Sequence, residues 1–432
     1  MNRPLSFAVF AHEFPALSET FVLNQITGLL DTGHQVTIFA EGPRGDSVVH
    51  PDVHAYSLID RTRYSAVPDS HARRCASGLR ILARLLRTRR GALAQSVNVA
   101  RFGRLAASLR LVHWADCLSS DADFDIILAH FGPVGGLAQR LRDAKLISGR
   151  LVTVMHGVDM TRHLRDAPAA YEDLFRSGDL FLPVAEVWER RLVELGCDPE
   201  KIAVHHMGVD TAAIPFRARS LPGDRPLSIL SVGRLIEKKG IADALRAVSI
   251  LVRRGVDLRY TVVGDGPLRP QLTQLCDELS LSRAVSFVGW RDRNAVAGLM
   301  ERADILLAPS ITAADGDQEG IPVTLMEAMA AGQIVVSTAH SGIPELVMNG
   351  RSGLLVEEGD PDGLAAAVMF LLSMGNAWPR ISLAARRKVV EEFDIRTLNR
   401  RLVARMYRLL GMRDAPAEVP ERRPSALPVI PA

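Results

Sequence analysis

The sequence predicts an α/β protein made of two Rossmann-like domains, and three observations carry that prediction. Short apolar, β-branched runs alternate with longer stretches of helical period along the chain, the pattern of βαβ units and parallel sheets. At 432 residues there is material for two sizeable cores. A Pro- and Gly-rich step, Leu221-Pro222-Gly223-Asp224-Arg225-Pro226, divides the alternation into two comparable sets.

Taken in order, strands are expected at 7–10, 36–40, 125–130, 152–156, 180–184 and 203–205 in the first set. In the second they are expected at 227–232, 260–263, 285–288, 305–308, 334–337 and 354–356. The division that follows is an N-terminal domain at 1–212, a linker at 213–226 and a second domain at 227–392. A final amphipathic helix covers 393–411, and the proline-rich stretch 412–432 reads as a disordered tail. Open α/β sheets bind ligands at the carboxyl ends of their strands, so the expected site is a cleft between the two domains.

Composition narrows the function classes. Apolar residues make up 47% and charged residues 23%, a globular balance, and a net charge of +3 gives no case for nucleic acid. The four cysteines are scattered without a CxxC pair, which points to a reducing compartment and away from structural zinc. No apolar run reaches the length of a membrane span, and the N-terminus lacks a signal-peptide pattern. The expected location is cytoplasmic, with the inner face of the cytoplasmic membrane as a docking surface. That second expectation comes from residues 70–115, which hold ten arginines, Arg73 to Arg110, and no acidic residue. Leu79, Leu82 and Leu86 share one helical face there and Arg80, Arg84 and Arg87 another, an arrangement that suits an anionic membrane surface or a helix packed on its own domain.

The most informative segment is Gln318-Glu319-Gly320-Ile321-Pro322-Val323-Thr324-Leu325-Met326-Glu327, closed by Gly332. Proline suits a helix start and glycine its end, so Glu319 would sit at a helix mouth and Glu327 about two turns in. Free N–H groups at such a mouth attract phosphate. A second segment, Gly233-Arg234-Leu235-Ile236-Glu237-Lys238-Lys239-Gly240, follows a strand and leads into a helix, with glycine for close backbone approach and cations for an anion. Gly264 belongs to a strand–turn–helix step, and Val288 ends another strand. His130 and His156 stand at strand ends in the first half, His156 followed by Gly157 and Asp159. Ser18 is an expected N-cap, with Glu19 and Asn24 just inside the first helix, where they either touch a ligand or cap and pack. His205 and His206 adjoin in an expected strand, so they would face opposite ways and not share a metal.

These segments resemble the E-x7-E and G-R-L-x-x-x-K-G motifs of the retaining GT-B glycosyltransferases of family 4. Phe14-Pro15 and Ser18-Glu19-Thr20-Phe21 are similar to the branch that includes colanic acid and other exopolysaccharide transferases. The resemblance implies a GT-B fold, with two Rossmann-like domains facing across a cleft and the C-terminal helix crossing back to the first. It implies transfer of a sugar from a nucleotide-sugar to a glycan or polyprenyl-linked oligosaccharide acceptor, with retention, in cell-surface polysaccharide synthesis. By the same resemblance Arg234 and Lys239 hold the diphosphate, and Glu319 holds the donor sugar near the reacting centre. Glu327 meets the ribose, and Gly233, Gly264, Val288, Gly320 and Ile321 line the donor site. His156 lines the reaction centre, while Glu19, Asn24 and His130 are the acceptor candidates. No metal and no other cofactor is expected. A GT-B epimerase or phosphorylase would use the same cleft, and a non-catalytic glycan-binding relative would have lost Glu319, Glu327, Arg234 or Lys239.

Overall fold

The computed structural model describes residues 3–412 except 17–18, 46–48, 89, 119–122, 162–163 and 165–169. Ser18 and almost all of the expected tail therefore lie outside the described residues.

Two six-stranded parallel sheets form the frame. The first consists of β1 (Ser6–Phe10), β2 (Gln35–Ala40), β3 (Thr62–Tyr64), β4 (Asp123–His130), β5 (Ser148–Met155) and β6 (Leu180–Pro183), in the order β3-β2-β1-β4-β5-β6. The second consists of β7 (Leu227–Val232), β8 (Leu258–Val263), β9 (Val285–Gly289), β10 (Ile305–Ala308), β11 (Ile334–Thr338) and β12 (Leu354–Val356), in the order β12-β11-β10-β7-β8-β9. Both sheets thus reverse direction beside their first strand, and a ligand site belongs at such a switch point. The central strands are largely buried, because helices cover both faces and apolar residues fill most positions. In β1, residues Phe7 to Phe10 are all fully buried, with Phe7 aligned to Val36 on one side and Ile126 on the other.

Eleven of the twelve expected strands form. The twelfth, 203–205, does not pair as a ladder strand, though the Ala203 and His205 N–H groups donate to the carbonyls of Phe181 and Pro183 at 3.0 and 2.9 Å. It is an extended edge segment beside β6. Thr62–Tyr64 was not expected, being three residues with no apolar periodicity; pairing with β2 makes it a strand.

The last helix, Ile395–Leu409, crosses back to the first domain. Asp394 caps it by accepting from the Arg396 and Thr397 amides, a cap that contributes about 1 kcal/mol. Its far end is tied down where Tyr407 donates to the Arg3 carbonyl at 2.8 Å, and Asn399 donates to the Asn24 carbonyl. The connection between the sheets is held as firmly. Arg386 donates to the Thr211, Ile214 and Ala330 carbonyls, and buried Arg219 donates to those of Met300, Glu301 and Ala303.

Candidate functional site

The second-domain wall of the cleft is built from the turns that follow β7, β8 and β10. Gly264 has φ 128°, and a Cβ there would lie 1.8 Å from the Gly233 carbonyl oxygen, so the turn after β8 closes on that after β7 only as glycine at 264. Gly240 makes the same approach to Pro309, again at 1.8 Å, and so brings Lys239 beside the chain leaving β10. Lys239 Nζ then lies 3.1 Å from Glu319 Oε1. Lys238 lies 3.0 Å from Asp317 and 3.8 Å from Glu319. Burial pushes the Glu319 carboxyl up, but Lys239 and Lys238 outweigh it and hold the group below the usual glutamate range. Arg234, in the same turn as Gly233, is exposed.

Glu319 is also positioned from behind, by residues the sequence reading did not single out. Its backbone N–H donates to His340 Nε2 at 3.1 Å. Since that nitrogen accepts, the ring proton is on Nδ1, which donates to Glu358 Oε1 at 2.6 Å. The other Glu358 oxygen accepts from the Thr312 amide at 2.6 Å, and His340 is fully buried. A histidine immediately before the Ser341-Gly342 turn was the available signal; its carboxylate partner, eighteen residues on, has no motif.

Pro322 is the N-cap of the helix Val323–Ala331, one position earlier than the first turn expected for it, and Gly332 ends the helix in the left-handed region as expected. Glu327, on that helix, is pushed up by burial and drawn down by Arg293. Arg293 in turn reaches His50 of the first domain at 3.2 Å, a cross-cleft contact no motif indicated. Asp317 of Asp315-Gly316-Asp317 is committed to Lys238.

On the opposite wall, His156 follows β5 and is packed between Phe21 and Phe131, with ring centroids at 4.7 and 4.3 Å. His130 stacks behind it at 5.8 Å and is fully buried. Burial holds both imidazoles neutral, His130 down at about 3 and His156 well below the usual histidine range. His156 Nε2 and both His130 nitrogens lack a hydrogen-bond partner among the described residues. Asp159 accepts from the His156 amide at 2.8 Å, and burial pushes its carboxyl up to about 7. The two walls meet here: a Cβ on Gly157 would lie 3.2 Å from the Gln318 carbonyl oxygen and 3.5 Å from the Glu319 carbonyl carbon. Gly320 approaches Val184 and the Trp188 indole in the same way. Ile321 is buried against Gly342, and Val288 is half-buried on β9.

The acceptor candidates separate. Glu19 lines a cavity of about 370 Å³ at the carboxyl ends of β1 to β3, walled by Phe14, Pro15, Leu23, Val53 and Tyr64 with Glu13 beside it. Burial raises the Glu19 carboxyl, and its side chain makes no cap bond to the helix it precedes. Asn24 instead lies under the crossing helix, its carbonyl taken by Asn399. His130 is fully buried behind Phe21 and His156. His205 is buried, while His206 bonds Glu345 of the second domain at 2.7 Å, so the two do point apart. Glu345 also accepts from the Glu186 amide at 2.8 Å, linking the domains a second time.

Residues 18–213 match the family described as Glycosyltransferase Family 4, and residues 215–388 match the glycosyl transferases group 1. WcaL of Salmonella typhimurium, assigned as a colanic acid biosynthesis glycosyltransferase, is 39% identical over 403 residues, covering 93% of this chain and 99% of its own. The amylovoran biosynthesis glycosyltransferase AmsK of Erwinia amylovora is 39% identical over 409 residues, covering 94% and 100%. In fold the chain is similar to Anabaena Alr3699/HepE in complex with UDP and glucose, with a TM-score of 0.68 at 16% identity, covering 94% of this chain and 100% of that one.

Proposed function

This chain belongs to glycosyltransferase family 4 and is a glycosyltransferase, and from that premise we propose that it elongates an exopolysaccharide with retention of configuration. The observation that carries the reading is the meeting, across one cleft, of a carboxylate held by Lys239 with a buried histidine nitrogen that has no partner among the described residues. A buried polar atom left unpaired costs about 1–3 kcal/mol, and a ligand hydroxyl would remove that penalty at His156. The relatives and the HepE complex support an exopolysaccharide product and a nucleoside diphosphate-sugar donor.

In this reading the diphosphate lies on the Gly233–Gly264 turns against Lys239 and Arg234, whose charges stabilise the departing nucleoside diphosphate most in the transition state. The sugar hydroxyls take over Glu319, which Lys239 neutralises until the donor arrives. The bond between the anomeric carbon and the phosphate oxygen breaks as the acceptor oxygen approaches from the same face. The acceptor proton passes to the leaving phosphate oxygen. His156, neutral and fixed by the Asp159 turn, orients a sugar hydroxyl. Glu327 faces the ribose, and the acceptor enters over the Glu19 cavity.

The test begins with thermal shifts of UDP-, GDP-, ADP- and TDP-sugars on wild type and Arg234→Ala. One nucleotide should stabilise wild type selectively and fail on the variant. NMR of the product should show the donor's anomeric configuration. Glu319→Ala and Lys239→Ala should each lose at least about a hundredfold in turnover while staying folded. Near-normal turnover in either variant, or an inverted product, overturns the reading.

A further inference from the structure

The arginine-rich excursion between β3 and β4 presents a face that its packing does not explain. In the helix His71–Thr88, the side turned inward is Arg74, Gly78 and Leu85. Arg74 donates to the Pro68 and Asp69 carbonyls, and a Cβ on Gly78 would lie 2.8 Å from Leu109. Of the leucine face the sequence suggested, Leu82 is half-buried against the core while Leu79 and Leu86 stand in solvent. Leu79 is 64% exposed and Leu86 53%. With Ala72, Ala76 and Ala83, also exposed, they form one solvent-facing apolar stripe at helical spacing of three and four. Arg73, Arg80, Arg84 and Arg87 run alongside it, all exposed. Val97 and Val99, just beyond, are 40% and 51% exposed.

We propose that this face docks on an anionic lipid bilayer, the leucines entering the acyl boundary and the arginine row lying among the headgroup phosphates. An apolar stripe flanked on its solvent side by arginines matches a headgroup–acyl boundary, where long basic side chains reach up to phosphate while their stems stay in apolar surroundings. Charge selects this occupant over a second copy of the chain. Residues 70–115 hold ten arginines and no carboxylate, so self-pairing would set like charge against like. Arg84 is partly satisfied within the fold by Asp116. The helix 110–117 that supports this face packs Trp114 against Phe10 at 5.7 Å, and Arg110 lies 4.0 Å from Glu41. Docking therefore brings the ends of β1 and β2, with the Glu19 cavity, to the bilayer. That consequence, unlike the docking itself, rests on the acceptor reading above.

The experiment is co-sedimentation of the full chain with vesicles of phosphatidylcholine alone and of equal parts phosphatidylcholine and phosphatidylglycerol. Binding should require the anionic lipid and weaken as salt is raised. Arg80→Gln should cut vesicle affinity about fivefold. Leu79→Ser and Leu86→Ser should each cut it at least about tenfold. All three variants should keep wild-type thermal shifts with donor, since their side chains are in solvent and outside the cleft. Absence of anionic-vesicle binding by wild type overturns the proposal, as does binding unchanged in the leucine double variant. A lipid-free dimer that Leu79→Ser dissolves would make the face a self-association surface and overturn it equally.

Discussion

Replacing His340 by leucine removes both ring nitrogens while keeping most of the bulk, and so tests whether the buried His340–Glu358 pair positions Glu319. Two bonds are lost, from the Glu319 amide to Nε2 at 3.1 Å and from Nδ1 to Glu358 at 2.6 Å. The first contributes about 1 kcal/mol and the second, to a carboxylate, about 2 kcal/mol. Glu358 is 35% exposed and keeps its bond from Thr312, so water recovers part of the second. The expected destabilisation is about 2 kcal/mol, or a fall in Tm of roughly 4–8 °C for a domain of this size. If the pair only braced the fold, turnover at a temperature well below Tm would be untouched. If it positions Glu319, an error of about 1 Å at that carboxylate costs on the order of a hundredfold in kcat/KM. Nucleoside diphosphate release, assayed beside thermal unfolding, separates the two. His340→Gln, whose amide oxygen can accept from the Glu319 N–H, should recover part of the activity. A normal Tm loss with kcat/KM within about twofold of wild type would refute the positioning role.

Three further outcomes are expected. Gly264→Ala drives a Cβ into the Gly233 carbonyl oxygen, 1.8 Å away, and should cost about 3 kcal/mol and abolish the donor-induced thermal shift; a retained shift would mean the two turns do not carry the diphosphate. His130 and His205, held at about 3, and His156 stay neutral when folded but take up protons when unfolded below about pH 6.5. The unfolded chain then binds more protons, so stability falls from about pH 6.5 towards pH 3, and His130→Phe should flatten that limb in urea unfolding. Glu345→Ala removes the acceptor of the Glu186 amide and of His206, about 2 kcal/mol of cross-domain bonding, and should lower the ratio of the domain-closed arrangement described here to domain-open ones roughly thirtyfold. An unchanged radius of gyration by small-angle scattering would exclude Glu345 as a domain latch.

The clustering of the second-domain candidates was legible because its signals are local. Gly233, Lys239 and Gly264 lie in single turns, and Glu319 and Glu327 in one short run, where steric demand and charge dictate residue type directly. Glu358, Arg293, His50 and Glu345 were not legible, because each acts on a residue far along the chain that only the packing of two sheets brings near. The first helix shows the same limit. Glu19 and Asn24 are five residues apart on one helix start, yet one lines a cavity and the other lies beneath the C-terminal helix.

The sequence by itself determined the α/β class, most of the strand succession and the glycine, lysine and glutamate segments at the strand ends, while the crossing of the last helix came from the family resemblance. Periodicity, turn residues and charge spacing are properties of neighbouring positions. Tertiary structure alone decided which face of the arginine-rich helix meets solvent, which histidine fronts the cleft and which is sealed behind it, and what holds Glu319 in place. Burial and the pairing of distant groups depend on the whole chain having closed around them, and no local window of residues encodes that.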